Sequence, residues 1–238
     1  MPGRDETVKQ TVSARLREVY DYREPITVSV EGHEFEVHPG VFNPVAGSST
    51  ASLLAGMQIR PKSRVLDMGC GCGVVGIIAV HRGARSAVLA DNNPKAAANA
   101  QANLARHGLE ATCEAHTSDV FSALGGARFD TILFNAPFLF LAPGDADHVG
   151  ADASPSAPPV DSYVDVGYQV LTRFFSGAAD HLAPGGTIQS TFSSDGNQAL
   201  LDQLLADHGF SKQILYQRPK PSGGTRMIYE YRPTPDPA

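Results

Sequence analysis

The sequence has no tryptophan, only three cysteines in 238 residues, and no apolar run near the roughly 18 residues that cross a bilayer. The last absence excludes a helical membrane span, and the opening MPGRDETVKQ has no apolar core of the kind a secretory leader needs. A cytoplasmic protein with no membrane partner is expected. Cys70, Cys72 and Cys113 are an odd set, two of them one glycine apart, which fits neither a disulfide framework nor a zinc pattern. They read as small buried residues. The histidines, His33, His38, His81, His107, His116, His148, His181 and His208, show no metal-ligand spacing, so no metal is expected. Basic residues are also in short supply. With 19 Lys and Arg against 25 Asp and Glu, the net charge is −6 at pH 7. That balance argues against a nucleic-acid partner, because phosphate affinity comes from clustered positive charge.

What is present is ordinary globular composition, 42% apolar and 18% charged. Val8, Val12, Leu16 and Val19 recur at helical spacing, and the alternation of Ile26, Val28 and Val30, then Phe35 and Val37 across Glu31-Gly32, predicts a hairpin. Residues 1–45 are therefore expected to form an accessory helix and hairpin. From 46 to 232 strand and helix alternate, with strands at Val65–Met68, Ser86–Ala90, Ala111–Ala115, Phe129–Phe134 and Gly186–Phe192. Helices are expected over Val74–Val80, from Asn93 to Gly108, over Val166–Leu182 and over Asn197–His208. The pattern predicts an α/β fold: a Rossmann-like, seven-stranded, mostly parallel sheet with helices on both faces. Lys212–Gln217 and Thr225–Tyr231, joined by a turn-rich segment, should close it as an antiparallel hairpin. Ala142–Pro159 reads as a lid-like loop and residues 233–238 as a loose tail.

Asp67-Met68-Gly69-Cys70-Gly71-Cys72-Gly73 lies between the first strand and its helix, where an open α/β sheet places its ligand. Gly71, Gly73 and Gly76 also match the dinucleotide pattern, with Asp91 about 20 residues on. Asp67 discriminates between ligands. Its carboxylate would stand beside a pyrophosphate, and two negative groups a few ångströms apart in a cleft cost on the order of several kcal/mol. A ligand with a cationic amino-acid tail suits the site better, and S-adenosylmethionine has one.

Four blocks carry a resemblance: Val65-Leu66-Asp67-Met68-Gly69-Cys70-Gly71-Cys72-Gly73, Ala90-Asp91-Asn92, Ser118-Asp119-Val120 and Asn135-Ala136-Pro137-Phe138. In this order the chain resembles a class I S-adenosylmethionine-dependent methyltransferase from about Phe42 to Tyr231. The resemblance implies that Asp67 and Gly69, Gly71 and Gly73 hold the methionine part of the cofactor, that Asp91 with Asn92 meets the ribose hydroxyls, that Asp119 and Val120 receive the adenine, and that Asn135 touches the cofactor as well as the acceptor.

Methyl transfer is an in-line displacement, so orienting the acceptor lone pair matters more than acid-base power. The side-chain oxygen of Asn135 and the carbonyl of Ala136 can each accept a hydrogen bond from an NH₂ group. Pro137 keeps Ala136 extended, and Phe138 offers an aromatic face to a planar or cationic acceptor. The block is similar to the Asn-Pro-Pro-Tyr/Phe signature of N-methyltransferases acting on glutamine or nucleobase amino groups, with Ala136 in place of the first proline.

Asp130, Asp145, Asp147, Asp152, Asp161 and Asp165 fall in a stretch without Lys or Arg, which reads either as a mouth suited to a cation or as a solvated acidic loop. The leading expectation is N-methylation of an amine, amide or guanidine on a small molecule or peptide. The alternatives are a protein-glutamine enzyme, an rRNA guanine enzyme, a non-catalytic cofactor-binding subunit and a nicotinamide dehydrogenase. Phe42-Asn43-Pro44 and Gly47-Ser48-Ser49-Thr50 precede the first helix of the domain much as a substrate- and cofactor-covering segment does in glutamine-directed enzymes, a loose resemblance, and Ser49 or Thr50 is expected instead to cap the helix containing Leu53 and Leu54. Tyr20, Tyr22, Tyr163 and Tyr168 are expected either to line the acceptor pocket or to pack the N-terminal helix onto the lid. The oligomeric state is left open by the sequence.

Overall fold

The computed structural model describes residues 22–141, 164–220 and 223–234. The expected helix over Val8–Val19, the Ala142–Pro159 loop, and Tyr20 and Tyr163 lie outside the described residues. Strands β1 (Ile26–Val30) and β2 (His33–Val37) form the expected hairpin, with Ile26 opposite Val37 and Val30 opposite His33. Its two-residue turn, Glu31-Gly32, takes positive φ at both positions, which matches the right-handed twist of the flanking strands.

After helix α1 (Ser49–Gly56) come β3 (Arg64–Met68), α2 (Val74–His81), β4 (Ser86–Asp91), α3 (Pro94–Arg106), β5 (Cys113–Thr117) and β6 (Phe129–Phe134). Two short strands, β7 (Leu139–Leu141) and β8 (Val164–Val166), pair in parallel. The chain then runs through α4 (Gln169–Ala178), β9 (Leu182–Ser193), α5 (Gln198–Asp207), β10 (Phe210–Pro219) and β11 (Thr225–Pro233). The main sheet has the order β10-β11-β9-β6-β3-β4-β5. Pairing is parallel from β9 to β5 and antiparallel on both sides of β11, as the sequence pattern predicts.

Two apolar layers cover its faces because alternate strand residues point to opposite sides. Leu66, Val88, Ile132 and Phe134 join Phe174, Phe192 and Tyr231 on one face. Val65, Leu89 and Leu133 meet Leu53, Ile77 and Leu104 on the other, together with Phe35 and Val37 of the hairpin. Each fully buried side chain of this kind contributes about 1.5–3 kcal/mol.

The differences from the sequence expectations are local. Strand β5 starts two residues late because the N–H groups of Thr112 and Cys113 still donate to the Leu109 carbonyl after α3. Helix α4 starts at Gln169, not Val166, because Gly167 and Tyr168 turn through positive φ. The Asp165 carboxylate then accepts from the N–H groups of Val170 and Leu171, satisfying two orphan donors of the first turn. Pro233 ends β11 rather than starting a tail.

Helix α3 carries the signals read from its sequence. Asn93 Oδ1 accepts from Lys95 N at 3.0 Å, Pro94 is its first residue, and Gly108 follows it with φ of 65°. Its alanine-rich sequence gives no sign of a second role. Asn99 and Asn103 are buried and accept from the His38 and Glu36 N–H groups, while both amide nitrogens donate to the Glu36 carbonyl. Asn103 Nδ2 also donates to the Cys72 carbonyl at 2.8 Å. One helix face thereby ties the hairpin to the glycine turn.

Candidate active site

Building outward from β3, the chain adds β4 and β5 on one side and then β6 on the other, so the strand order reverses beside β3. Ligands of open α/β sheets lie beyond the carboxyl ends of the strands at such a reversal. The register brings the blocks together. Met68 is level with both Ala90 and Phe134, so Gly69, Asp91 and Asn135 leave the sheet side by side.

The glycine turn follows β3. Gly69, Gly71 and Gly73 have φ of 63°, 55° and 85°, a region that L side chains rarely enter. The Cys70 N–H donates to the Ala90 carbonyl, and Gly71 N donates to Asp91 Oδ2 at 2.9 Å, clamping the turn to the end of β4. A Cβ on Gly71 would meet only Phe42 Cβ at 4.0 Å, leaving the backbone open to a ligand. Gly73 is different. A Cβ there would come within 2.7 Å of Leu89, so that glycine serves helix packing and does not line the cleft.

A cavity of about 310 Å³ opens between these strand ends, in the size range of small-ligand sites. Asp67, Gly69, Gly71, Asp91, Asn92, Asp119, Val120 and the whole Asn135–Phe138 block border it, with Phe42, Pro44 and Arg173 from other parts of the chain. Asp67 is 1% exposed, and its Oδ2 accepts from Gly76 N at 2.8 Å, inside the first turn of α2. Burial, with the Asp91 charge adding to it against the Gly76 hydrogen bond, pushes the Asp67 carboxyl up to about 7. Burial also raises Asp91, against the hydrogen bonds from Asn93 and Gly71 that favour its charged form. Two carboxyls raised by burial at one cleft are a place that a cation would relieve.

At the far wall, Asp119 is open to solvent and pairs with Arg173 at 3.4 Å. Val120 sits at φ of 50°, a strained setting for a β-branched residue, with its carbonyl accepting from Ser118 Oγ. The Asn135 amide is held by three hydroxyls. Thr191 Oγ1 donates to Oδ1 at 3.0 Å, and Nδ2 donates to Ser49 Oγ and Thr50 Oγ1 at 3.3 Å each. Ser49 and Thr50 therefore do not cap α1. Ser48 stands at its cap position without a side-chain bond, and the two following hydroxyls face Asn135 instead.

Phe138 is buried, and the Arg226 guanidinium lies 4.3 Å from its ring centre, so one aromatic face is already covered from β11. Tyr168 does not line the cavity. Its hydroxyl donates to the Phe138 carbonyl and accepts from Asn197 N, fixing the motif from behind. Tyr22 bonds the Val41 carbonyl.

Two of the six acidic residues expected at the mouth are elsewhere. Asp130 is at the opposite end of β6, bonded to Arg64 N, and Asp165 is buried under α4. Asp145, Asp147, Asp152 and Asp161 lie outside the described residues, as does His148. The three cysteines are buried and free, as expected.

The cavity fits a ligand with a cationic tail: an open glycine backbone, two buried carboxyls, and carboxylate lone pairs left over at Asp91 after its two backbone bonds. Sheet order, glycine turn and strand-end acids define a class I S-adenosylmethionine-dependent methyltransferase, and S-adenosyl-L-methionine is its cofactor. Residues 32–145 match the family model of the Methyltransferase small domain. A protein of Methanocaldococcus jannaschii named "Putative protein N5-glutamine methyltransferase" is 28% identical over 194 residues, 79% of this chain and 89% of that protein. Ribosomal RNA small subunit methyltransferase C of Salmonella paratyphi B is 34% identical over 164 residues, 68% of this chain. The chain spans only 40% of that relative's length. Among solved structures, the T. thermophilus 16S rRNA N2 guanine methyltransferase in complex with AdoMet and guanosine has a TM-score of 0.62 at 22% identity. That match covers 89% of this chain and 50% of the other, and is a likeness of fold.

Proposed function

We propose that this methyltransferase modifies a nitrogen, and that its acceptor carries a planar NH₂ group such as a carboxamide, a guanidine or a ring amine. The observation that carries this reading is the fixed amide of Asn135 at the cleft, restrained by Thr191, Ser49 and Thr50. S-adenosylmethionine supplies, when bound, a methyl group on a sulfonium centre. The chain's part is to orient and exclude. Each carbonyl oxygen has two lone pairs, so Asn135 Oδ1 keeps one after bonding Thr191, and the Ala136 carbonyl can accept the second N–H of an acceptor. Two such bonds would fix the plane of an NH₂ group and direct its lone pair. In this reading Asp67, Gly69 and Gly71 hold the amino-acid end of the cofactor, Asp91 and Asn92 its ribose, and Asp119 and Val120 its adenine.

A peptide-borne or small acceptor is favoured by the net charge of −6. A guanine in RNA is the second reading. It is supported by the rRNA-directed relative and by Arg173 at the cavity rim, and it is limited by the share of that relative which this chain spans.

The test is to incubate the protein with methyl-labelled S-adenosylmethionine and a cell extract divided into protein, RNA and small-molecule pools. Label in the protein or small-molecule pool, lost with Asn135→Ala while cofactor binding persists, is the expected result. Label in RNA alone would replace the first reading by the second. Label on oxygen or carbon in the isolated product would overturn the nitrogen assignment.

A further inference from the structure

Three histidines that have no relation in sequence meet on the face away from the cleft. His33 opens β2, His81 is the last residue of α2, and His107 follows the last turn of α3. One ring nitrogen from each lies within 4.8 Å of the others. We propose that His33, His81 and His107 form a binding site for one divalent transition-metal ion of the zinc class. The site stands apart from the methyl-transfer reading and does not depend on it.

The geometry of one pair is already close to ligation. His81 Nε2 and His107 Nδ1 are 3.2 Å apart. Two imidazole nitrogens about 2.0–2.1 Å from a tetrahedral zinc are themselves roughly 3.3 Å apart. His107 Nε2 lies 3.0 Å from the Glu34 carbonyl oxygen, a contact in which the ring nitrogen must donate. That bond places the proton on Nε2 and leaves the Nδ1 lone pair facing His81. A backbone carbonyl holding the outer N–H is the arrangement that orients metal-binding histidines. The His33 ring stacks on His81 with centres 4.1 Å apart, which keeps one of its nitrogens within 4.8 Å of the other two ligand atoms.

The surrounding field favours a cation. The carboxyl ends of α2 and α3 converge here, and helix carboxyl ends carry partial negative charge. The nearby guanidinium groups of Arg82 and Arg106 are paired with Glu31 and Glu34, which limits their repulsion. Burial and the neighbouring histidines lower the His81 pKa, and burial leads the lowering of His107. Neutral imidazoles prefer zinc, nickel, cobalt or copper, whereas magnesium and calcium need oxygen ligands that this cluster does not offer. Three protein ligands leave a fourth position for water. An ion there would staple the hairpin to two helices that both begin at the cofactor cleft.

The experiment uses the full chain without a polyhistidine tag, stripped of metal and titrated with Zn²⁺ and, separately, with Co²⁺ and Mg²⁺. One Zn²⁺ per chain, a raised unfolding midpoint, and a visible Co²⁺ absorption at one equivalent are expected, with no effect of Mg²⁺. His33→Asn, His81→Asn and His107→Asn should each weaken Zn²⁺ binding on the order of tenfold or more, and His208→Asn should not. Metal-free unfolding midpoints of the variants, measured alongside, separate lost ligation from lost folding. Absence of Zn²⁺ binding below about 1 mM, or binding that survives both His81→Asn and His107→Asn unchanged, would overturn the proposal. So would a Co²⁺ spectrum showing only aqueous ion with the unsubstituted chain, whatever the variants do.

Discussion

Thr191 on β9 donates its hydroxyl hydrogen to Asn135 Oδ1 at the end of β6, over 3.0 Å, and is itself fully buried. Parallel pairing of Phe134 with Ser190 makes the two residues neighbours, so the bond follows from register. Thr191→Val keeps the shape and removes the donor. Methyl transfer is expected to fall about tenfold or more, because small misplacement of an orienting group is costly. Binding of S-adenosylhomocysteine should stay within about twofold, and stability should drop by about 1–3 kcal/mol for the lost partner. Single-turnover rates beside calorimetry on the same preparation check the split. Equal losses in rate and cofactor affinity would instead mark Thr191 as a purely structural residue.

Asp91 offers its remaining lone pairs to the cleft while its oxygens hold Gly71 N and Asn93 N. Hydrogen bonds to a charged group are worth about 1.5–3 kcal/mol, which corresponds to roughly 10- to 100-fold in affinity. Asp91→Asn should weaken S-adenosylhomocysteine binding by that factor, measured by isothermal titration. Asp119→Asn, at a solvent-open position paired with Arg173, should cost much less.

Asp67 gives the cleft a pH signature. Its folded-state carboxyl, raised to about 7 by burial, holds a proton that the unfolded chain, at about 3.8, has released. Between those values the native state binds more protons, so stability falls as pH rises from about 4 to 7. A cation in the cleft prefers the ionised carboxylate, so S-adenosylmethionine affinity should rise as pH passes through about 7. Asp67→Asn should flatten both trends, read by thermal unfolding and titration across pH. An affinity profile identical to that of the unsubstituted chain would remove Asp67 from this role.

Gly71 and Gly73 share positive φ but not surroundings. Alanine at Gly73 adds a carbon 2.7 Å from Leu89 Cδ2 to the left-handed strain. Gly73→Ala should therefore cost about 2–4 kcal/mol of stability, the sum of overpacking and strain. Gly71→Ala has open space around its new carbon and should cost only the strain, about 1–2 kcal/mol, while weakening cofactor binding more than stability. Denaturation curves and ligand titration on the two variants distinguish the effects.

Much of the site was legible because its residues sit at strand ends. Strand periodicity marks where Met68, Ala90 and Phe134 stop, and a parallel sheet turns those endpoints into neighbours, so Asp67, Asp91 and Asn135 could be assembled on paper. Chemistry reached by long-range packing was not legible. Arg226 over Phe138, Thr191 behind Asn135, and Asn99 and Asn103 under the hairpin come from segments with no local signal of that role. Ser49 and Thr50 carried a helix-cap signal that the fold used differently.

The acidic stretch shows the same limit. Sequence proximity places Asp130 and Asp165 with the mouth, yet one lies at the far end of its strand and the other is buried against α4. By itself the sequence determined the sheet, the order of its elements and the glycine turn with its strand-end acids, because these depend on local periodicity and on backbone conformations that few residues tolerate. The tertiary structure alone decided which side chains hold Asn135, which cation covers Phe138 and where three distant histidines meet. Those relations are set by how helices and strands pack across the sheet, and short-range spacing carries no record of them.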